Sequence, residues 1–200
     1  MDYRAQFSRP LIATNGRLSR LCYHLGLDAE ITQRLKKSPT ILDKLRREDG
    51  LDLSRMQDIG GCRAVVATAE ELYLLSEEAQ ALWAQDVHHV KDYVAEPRPS
   101  GYRAIHVVVM ESGLPIEIQL RTTQMHEWAE TVEAFSNRLG ENLKQDGTHV
   151  VQEFMATIAD IPYVGNDPSA LLQLTDKLDK LRPMVETLLQ NLKEAQGGQQ

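Results

Sequence analysis

Apolar residues in the first fifty positions recur every three or four residues, which is the spacing of one face of an α-helix. Three helices are predicted, over residues 16–25, 29–37 and 40–47. Asn15 and Asp28 suit the N-cap positions of the first two, and Pro39 suits the first turn of the third. Gly26 is typical of the residue that follows a helix C-terminus. The first third of the chain is therefore expected to be helical.

The spacing changes to every second position in parts of residues 60–122, which favours β-strands. The predicted elements are strands over residues 62–67, 102–110 and 115–121, and helices over 69–85 and 123–139. A turn at residues 111–113 predicts that the last two strands form an antiparallel hairpin. Pro97, Pro99 and Gly101 indicate a loop before that hairpin. This order of elements predicts an α+β fold with a mixed sheet flanked by helices.

The last sixty residues have a helical pattern with an apolar stripe. The stripe consists of Leu171, Leu172, Leu174, Leu178, Leu181, Val185, Leu188, Leu189 and Leu192. We interpret it as packing against the rest of the domain, with self-association as the alternative. Pro183 predicts a kink or a helix boundary, and residues 197–200 are expected to be disordered. The chain is divided into a helical extension (1–28), a core (29–140) and C-terminal helices (141–200).

Strand alternation gathers polar side chains on one face of the predicted hairpin. Glu117, Gln119 and Arg121 share one face of the second strand, because successive side chains point to opposite sides. On the first strand, Tyr102 and His106 share a face, and the other face is mainly apolar. If the apolar face packs on the core, these five side chains lie on one surface. A solvated strand face is the alternative, but this mixture of groups favours a functional site.

The chain has 200 residues and a net charge of −7, which argues against a protein that coats nucleic acid by neutralising phosphates. The charge is uneven, because residues 34–47 contain six basic residues and one acidic residue. A local basic pocket therefore stays compatible with the acidic total. Lys91, Arg98 and Arg103 flank the proline loop and are candidates to contact phosphates. Asp58 and Glu117 could together hold Mg²⁺, which favours carboxylates and substrate phosphates.

Several other classes are excluded by absent patterns. The chain has no P-loop, no dinucleotide-binding glycine motif, no HExxH zinc motif and no nucleophile elbow. Cys22 and Cys62 are expected to be reduced, buried thiols rather than a disulfide or a zinc site. The N-terminus lacks the apolar core of a signal peptide, and no apolar run approaches the length of a membrane span. We therefore expect a soluble, cytoplasmic protein.

The sequence resembles the synthetase domain of the RelA/SpoT family of alarmone, or (p)ppGpp, synthetases over roughly residues 30–135. The resemblance rests on five motifs in order. They are Arg34-x-Lys36 with Thr40-Ile41-x-x-Lys44, Asp58-Ile59-x-Gly61-x-Arg63, Lys91-Asp92-Tyr93, Pro97-Arg98-x-Ser100-Gly101-Tyr102-Arg103-x-x-His106, and Glu117-Ile118-Gln119-Leu120-Arg121-Thr122-x-x-x-His126-x-x-Ala129-Glu130. The length resembles that of the small, single-domain synthetases.

The resemblance implies a nucleotidyltransferase-like fold and transfer of the β,γ-pyrophosphate of ATP to the 3′-hydroxyl of GDP or GTP. It implies that Asp58 and Glu117 are Mg²⁺-associated acids, and that Glu117 is also a candidate base for the 3′-hydroxyl. The residues that resemble ATP-binding groups are Arg34, Lys36, Lys44 and Arg63. Those that resemble acceptor-binding groups are Lys91, Arg98, Tyr102, His106, Gln119 and Arg121. Among these, Tyr102 resembles the tyrosine that stacks on the acceptor base.

The identity of the acceptor stays open at this stage. Residues 56–66 and 128–133 are closer to the toxic small synthetases, which modify the 3′ end of tRNA or make adenosine alarmones. Lys91 and Arg98 instead suit a free guanosine nucleotide that carries its own 5′-phosphates. We expect ATP with GDP or GTP as substrates, and tRNA as the alternative acceptor. A homo-oligomer and, for a toxin, a neutralising antitoxin protein are the partners that fit; no membrane or DNA partner is expected.

Overall fold

The structure, a computed structural model, describes residues 3–139, 143 and 149–197. Six α-helices and five strands run through these residues. The helices are α1 (Ser8–Leu25), α2 (Ser38–Arg47), α3 (Ala69–Trp83), α4 (Thr123–Leu139), α5 (Val150–Asp160) and α6 (Pro168–Gly197). The strands are β1 (Glu30–Leu35), β2 (Gly60–Val66), β3 (Val87–Asp92), β4 (Ile105–Glu111) and β5 (Leu114–Thr122). A short 3₁₀ turn, Ile161–Tyr163, follows α5.

The chain divides into two compact units. The first unit comprises Met1–Val94 and Ala104–Gln124, and contains the sheet with α1, α2 and α3. The second comprises Ala95–Arg103 and Met125–Gln200, and contains α5, α6 and most of α4. The predicted division of the chain at residues 28 and 140 stays a prediction.

The sheet of the first unit has the strand order β1-β2-β5-β4-β3. β2 and β5 are parallel, and the other neighbouring pairs are antiparallel. The predicted α+β fold with a mixed sheet is therefore confirmed. The predicted hairpin is also present as β4 and β5, joined by a turn in which Ser112 and Gly113 both have positive φ angles, of 54° and 78°. A two-residue type I′ hairpin turn requires a positive φ at both of its central residues.

One face of the sheet forms the core of the first unit. Its side chains include Cys62 and Ala64 on β2 and Ile116 and Ile118 on β5, all of which are buried. α1 packs against the sheet and beside α3. Gly60 makes this close packing feasible, because a Cβ at that position would lie 2.9 Å from Cδ1 of Ile116 and 3.5 Å from Phe7. This face is apolar, so the polar residues of the strands occupy the opposite one.

Sequence signals for the helix ends were partly correct. Gly26 ends α1 in the left-handed conformation with a φ of 69°, as predicted. α1 starts at Ser8 instead of after Asn15. Pro10 lies in its first turn, where the N–H that proline lacks would have no acceptor within the helix. α2 has Pro39 in its first turn, as predicted. α6 continues through Pro183, so the boundary there is wrong and the kink stays a prediction.

Two strand predictions need correction. Within the predicted helix 29–37, residues 30–35 form strand β1, so Asp28 caps no helix. Ile31 and Leu35 are four residues apart, which fits one helical turn and also two strand repeats, and antiparallel pairing with β2 decides between them. β4 begins at Ile105, so Tyr102 lies in the loop before the strand.

The described part of the second unit consists of helices joined by loops. α5 and α6 pack against each other. In the C-terminal stripe Leu181 and Val185 are buried, whereas Leu171 and Leu172 are exposed. Part of the stripe is therefore buried, and its packing against the rest of the domain stays a prediction. Residues 198–200 of the predicted disordered tail lie outside the described residues. Among the helices that the structure describes, none is both long and apolar enough to cross a membrane.

Candidate functional site

The outer face of the sheet carries two rows of polar side chains. Residues paired directly across neighbouring strands share a face, so the register of the ladders defines each row. One row runs across all five strands through Thr32, Arg63, Gln119, His106 and Lys91. The adjacent row runs through Arg34, Gly61, Glu117, Val108 and His89. We call this surface the polar face.

Glu117 is at the centre of the polar face and is held by two neighbours. Nδ1 of His106 lies 2.9 Å from Oε1 of Glu117, and Nε2 of Gln119 donates to Oε2 at 2.6 Å. Arg121 donates to the amide oxygen of Gln119 at 3.1 Å, which orients the amide nitrogen toward the carboxylate. Three of the predicted site residues therefore fix the position of a fourth.

The carboxyl group of Glu117 is kept ionised. Burial alone would raise its pKa, but hydrogen bonding and charge from His106, the hydrogen bond from Gln119 and the charge of Lys36 outweigh burial. Together these groups lower the pKa from 4.5 to about 2. A carboxylate with so low a pKa is a fixed negative charge near neutral pH and a weak proton acceptor.

Asp58 forms a second cluster with two lysines of the predicted ATP-binding set. Nζ of Lys36 donates to its Oδ2 at 2.7 Å, and Nζ of Lys44 donates to the same oxygen at 3.0 Å. The backbone brings these residues together because N–H of Lys36 donates to the carbonyl of Ile59 at 2.8 Å, which extends the β1–β2 ladder. The charge of Lys36 acts on both acidic residues, since it also lowers the pKa of Glu117.

The other oxygen of Asp58 is available for a cation. Oδ1 is buried and has no hydrogen-bond partner among the described residues. A buried carboxylate oxygen in that state calls for a donor or a metal ion. The described residues contain no group of three or more side chains typical of a metal site. Asp58 and Glu117 carry carboxylates, which are the ligands that Mg²⁺ takes together with water and substrate phosphates.

The remaining predicted residues of the first unit differ in exposure. Arg34 and Lys91 are exposed on the outer strands, whereas Arg121 is buried on β5. Gly61 lies between Arg34 and Glu117 across the ladder. A Cβ at Gly61 would approach only the backbone oxygen of Glu117, at 3.4 Å, so the space above it is open. The polar face thus has open space at Gly61, between Arg34 and Glu117 in the ladder.

Three further residues belong to this surface, although none was assigned a site role from the sequence. Thr32 and His89 share the polar face by register, and the ring of Tyr93 contacts that of His106 edge-on, with 5.2 Å between centroids. His89 was detectable, because it lies two residues before Lys91, which is a predicted site residue. Thr32 was hidden by the erroneous helix over residues 29–37.

Arg98 and Tyr102 belong to the second unit. The guanidinium of Arg98 lies 5.7 Å from the ring centroid of Tyr102, a cation–π contact. Tyr102 is buried and lies beside Trp128, with 6.5 Å between ring centroids. Arg103 was a candidate to contact phosphates, but its guanidinium is buried and donates to Oδ1 of Asp160 at 2.7 Å. That interaction gives Arg103 a partner within the protein.

Comparison with known proteins identifies a family and relatives that this chain resembles. The family model described as "Region found in RelA / SpoT proteins" matches residues 33–137. Guanosine-3′,5′-bis(diphosphate) 3′-pyrophosphohydrolase of Aquifex aeolicus (strain VF5) is 37% identical over 106 residues, which are 52% of this chain and 15% of that protein. A probable chloroplastic GTP diphosphokinase of Oryza sativa subsp. japonica is 34% identical over 111 residues, 55% of this chain and 15% of that protein.

GTP pyrophosphokinase of Brucella ovis is 32% identical over 114 residues, 56% of this chain and 15% of that protein. The chain thus spans only 15% of the length of each of these relatives. Among solved structures, small alarmone synthetase 2 of Bacillus subtilis has a TM-score of 0.65 at 21% identity, covering 89% of this chain and 98% of that chain.

Small alarmone synthetase 1 of Bacillus subtilis, bound to its product pppGpp, has a TM-score of 0.60 at 23% identity and covers 90% of this chain and 98% of that chain. At such identities, likeness to the solved structures shows a shared fold. That fold is the nucleotidyltransferase-like mixed sheet flanked by helices.

Proposed function

The chain belongs to the RelA/SpoT family, and on that premise we propose that it transfers the β,γ-pyrophosphate of ATP to the 3′-hydroxyl of GDP or GTP, forming (p)ppGpp and releasing AMP. Two relatives named GTP diphosphokinase and GTP pyrophosphokinase support this assignment. The observation that carries it is the ionised Glu117 at the centre of the polar face. His106 and Gln119 hold its two oxygens, so its negative charge has a fixed position.

We infer that Asp58 and Glu117 hold Mg²⁺. The unpartnered Oδ1 of Asp58 and the low pKa of Glu117 both suit a divalent cation. When bound, the cation would offset the charge that develops on the transferred phosphates. The pKa of about 2 also makes Glu117 a better source of fixed charge than a proton acceptor at neutral pH.

The proposed ATP-binding residues are basic groups next to these carboxylates. Lys36 and Lys44 both donate to one oxygen of Asp58, which fixes the positions of their ammonium groups. Arg34 and Arg63 lie on β1 and β2 of the same polar face. In pyrophosphate transfer the protein does little covalent chemistry, and catalysis comes from alignment and from charge placed in advance. These basic residues are suited to that task.

Four of the proposed acceptor residues lie in the first unit. Lys91 and His106 pair across β3 and β4, and Gln119 and Arg121 continue on β5. We assign these groups to the phosphates and ribose of the acceptor. The ring of Tyr102, with the guanidinium of Arg98 beside it, is assigned to the acceptor base by stacking.

The test is a side-by-side acceptor screen. The purified chain is incubated with γ-labelled ATP, Mg²⁺ and, separately, GDP, GTP, unlabelled ATP or deacylated tRNA. We expect label on GDP and GTP, with the added pyrophosphate on the 3′ oxygen, and no transfer when Mg²⁺ is chelated. Label on tRNA but not on guanosine nucleotides would contradict the proposed acceptor and favour a tRNA-modifying toxin. Absence of label on every acceptor would contradict the transfer activity itself.

A further inference from the structure

The loop that carries Arg98 and Tyr102 lies directly on helix α5. We call residues 95–103 the acceptor loop. Gly101 in this loop has a φ of 86°, and a Cβ there would lie 2.7 Å from Cα of Ala156 and 3.0 Å from Cβ of Ala159. Ala156 and Ala159 are one turn apart on α5, so they present a small-residue surface to the loop. Only glycine permits so close an approach.

An ion pair and a cation–π contact fix the end of the same loop. Nη2 of Arg103 donates to Oδ1 of Asp160 at 2.7 Å, and its guanidinium lies 3.9 Å from the ring centroid of Tyr163. The side chain of Arg103 is 9% exposed, whereas that of Asp160 is 50% exposed. The guanidinium is therefore buried between its partners, and loss of the carboxylate would leave a buried charge poorly compensated.

The contacts of Arg103 also restrict the positions of Arg98 and Tyr102 in the acceptor loop. The N–H of Gly101 donates to the carbonyl of Arg98 at 2.8 Å, and the N–H of Arg98 donates to the carbonyl of Tyr102 at 3.3 Å. These two bonds close the loop into a turn that includes all three residues. Tyr102 adjoins Arg103 in sequence, so a shift of the anchored guanidinium moves the stacking ring.

We propose that Asp160 and Tyr163 are positioning residues, which hold the acceptor loop through Arg103 so that Tyr102 and Arg98 are placed for the base of the acceptor nucleotide. The inference rests on the proposed function for the identity of that ligand. Both residues follow the segment 33–137 that the family model matches. The C-terminal helices of this chain thereby contribute to acceptor binding without contacting the acceptor.

The first test separates positioning from general stability by steady-state kinetics. Asp160→Asn removes the charge that pairs with Arg103, and Glu153→Gln is the matched control, because it breaks a different α5 ion pair, with Lys177. We expect Asp160→Asn to raise the KM for GDP on the order of tenfold, the range for a disturbed stacking contact. The KM for ATP and kcat should change less than about twofold, and Glu153→Gln should match the wild type.

Conservative variants sharpen this test. Asp160→Glu should restore much of the GDP affinity, and Tyr163→Phe should keep it, because the aromatic face over the guanidinium remains. Tyr163→Leu should raise the KM for GDP as Asp160→Asn does. If Asp160→Asn lowers kcat and thermal stability together at an unchanged KM for GDP, the residue is merely structural and the proposal is wrong.

The second test does not need activity. Trypsin cleaves after arginine, so the rate of cleavage after Arg103, followed by mass spectrometry relative to cleavage after Arg138, reports release of the acceptor loop. We expect this relative rate to rise several-fold in Asp160→Asn but not in Glu153→Gln. If wild-type protein modifies no acceptor, the proposed function fails, and cleavage alone decides whether Asp160 holds the loop. Equal relative rates in both variants would overturn the inference in either case.

Discussion

The low pKa of Glu117 predicts a defined dependence of stability on pH. The folded protein lowers this pKa from 4.5 to about 2, and the side chain is only 16% exposed, so solvent screens the responsible groups little. At about 1.4 kcal/mol per pKa unit, the shift corresponds to about 3 kcal/mol of stabilisation of the ionised form in the folded state. Glu117→Gln removes the ionisable group and therefore this contribution.

The sign follows from proton binding. Because the pKa of Glu117 is lower in the folded state, the unfolded chain takes up the proton first as the pH falls. The contribution is fully present above pH 4.5 and is lost as the pH falls toward 2. The free energy of unfolding of wild-type protein should therefore fall by about 3 kcal/mol more than that of Glu117→Gln across this window.

Urea denaturation followed by circular dichroism at several pH values between 7 and 2 measures this difference. Glu78→Gln is the matched control, because Glu78 is an exposed residue of α3. Its curve should run parallel to that of the wild type. Parallel curves for Glu117→Gln and wild type would contradict this prediction, since they would mean that His106 and Gln119 do not favour the ionised carboxylate in solution.

Three further predictions follow from single contacts. Asp58→Asn should lower kcat for pyrophosphate transfer at least about 100-fold and raise the Mg²⁺ concentration needed for half-maximal rate, measured in a Mg²⁺ titration; an unchanged titration would contradict a metal-holding role. Gly60→Ala should destabilise the fold by about 1–3 kcal/mol, because its Cβ would lie 2.9 Å from Ile116. Gly16→Ala within α1 should instead stabilise it by up to about 1 kcal/mol. Thermal melting of the two variants measures both changes in stability. Burial raises the pKa of the Cys62 thiol to about 12, so iodoacetamide at pH 8 should modify it only after unfolding, and rapid labelling of folded protein would contradict its burial.

The fold was predictable where the pattern was unambiguous. Alternation over 115–121 and the turn at Ser112 and Gly113 predicted the β4–β5 hairpin, and α4 occupies the predicted residues 123–139. The error at β1 arose because apolar residues four apart satisfy both helix and strand periods. Only tertiary pairing with β2, about thirty residues away, resolves that ambiguity.

The polar face was also predictable in part. Alternation placed Glu117, Gln119 and Arg121 on one side of β5, and register brings His106 beside them, as expected. The dual action of Lys36 on Asp58 and Glu117 has no local signal, because it depends on residues that are distant in sequence. The pairing of Arg103 with Asp160 crosses 57 residues and has no signature in the sequence.

One pair of variants decides whether the polar face performs pyrophosphate transfer. Glu117→Gln and Glu111→Gln alter two glutamates of the same hairpin, and Glu111 pairs with Arg17. The measurement is the initial rate of label transfer from γ-labelled ATP to GDP at saturating Mg²⁺. We expect a loss on the order of 10³-fold for Glu117→Gln and a rate within about twofold of wild type for Glu111→Gln. Full transfer activity in Glu117→Gln would contradict this expectation.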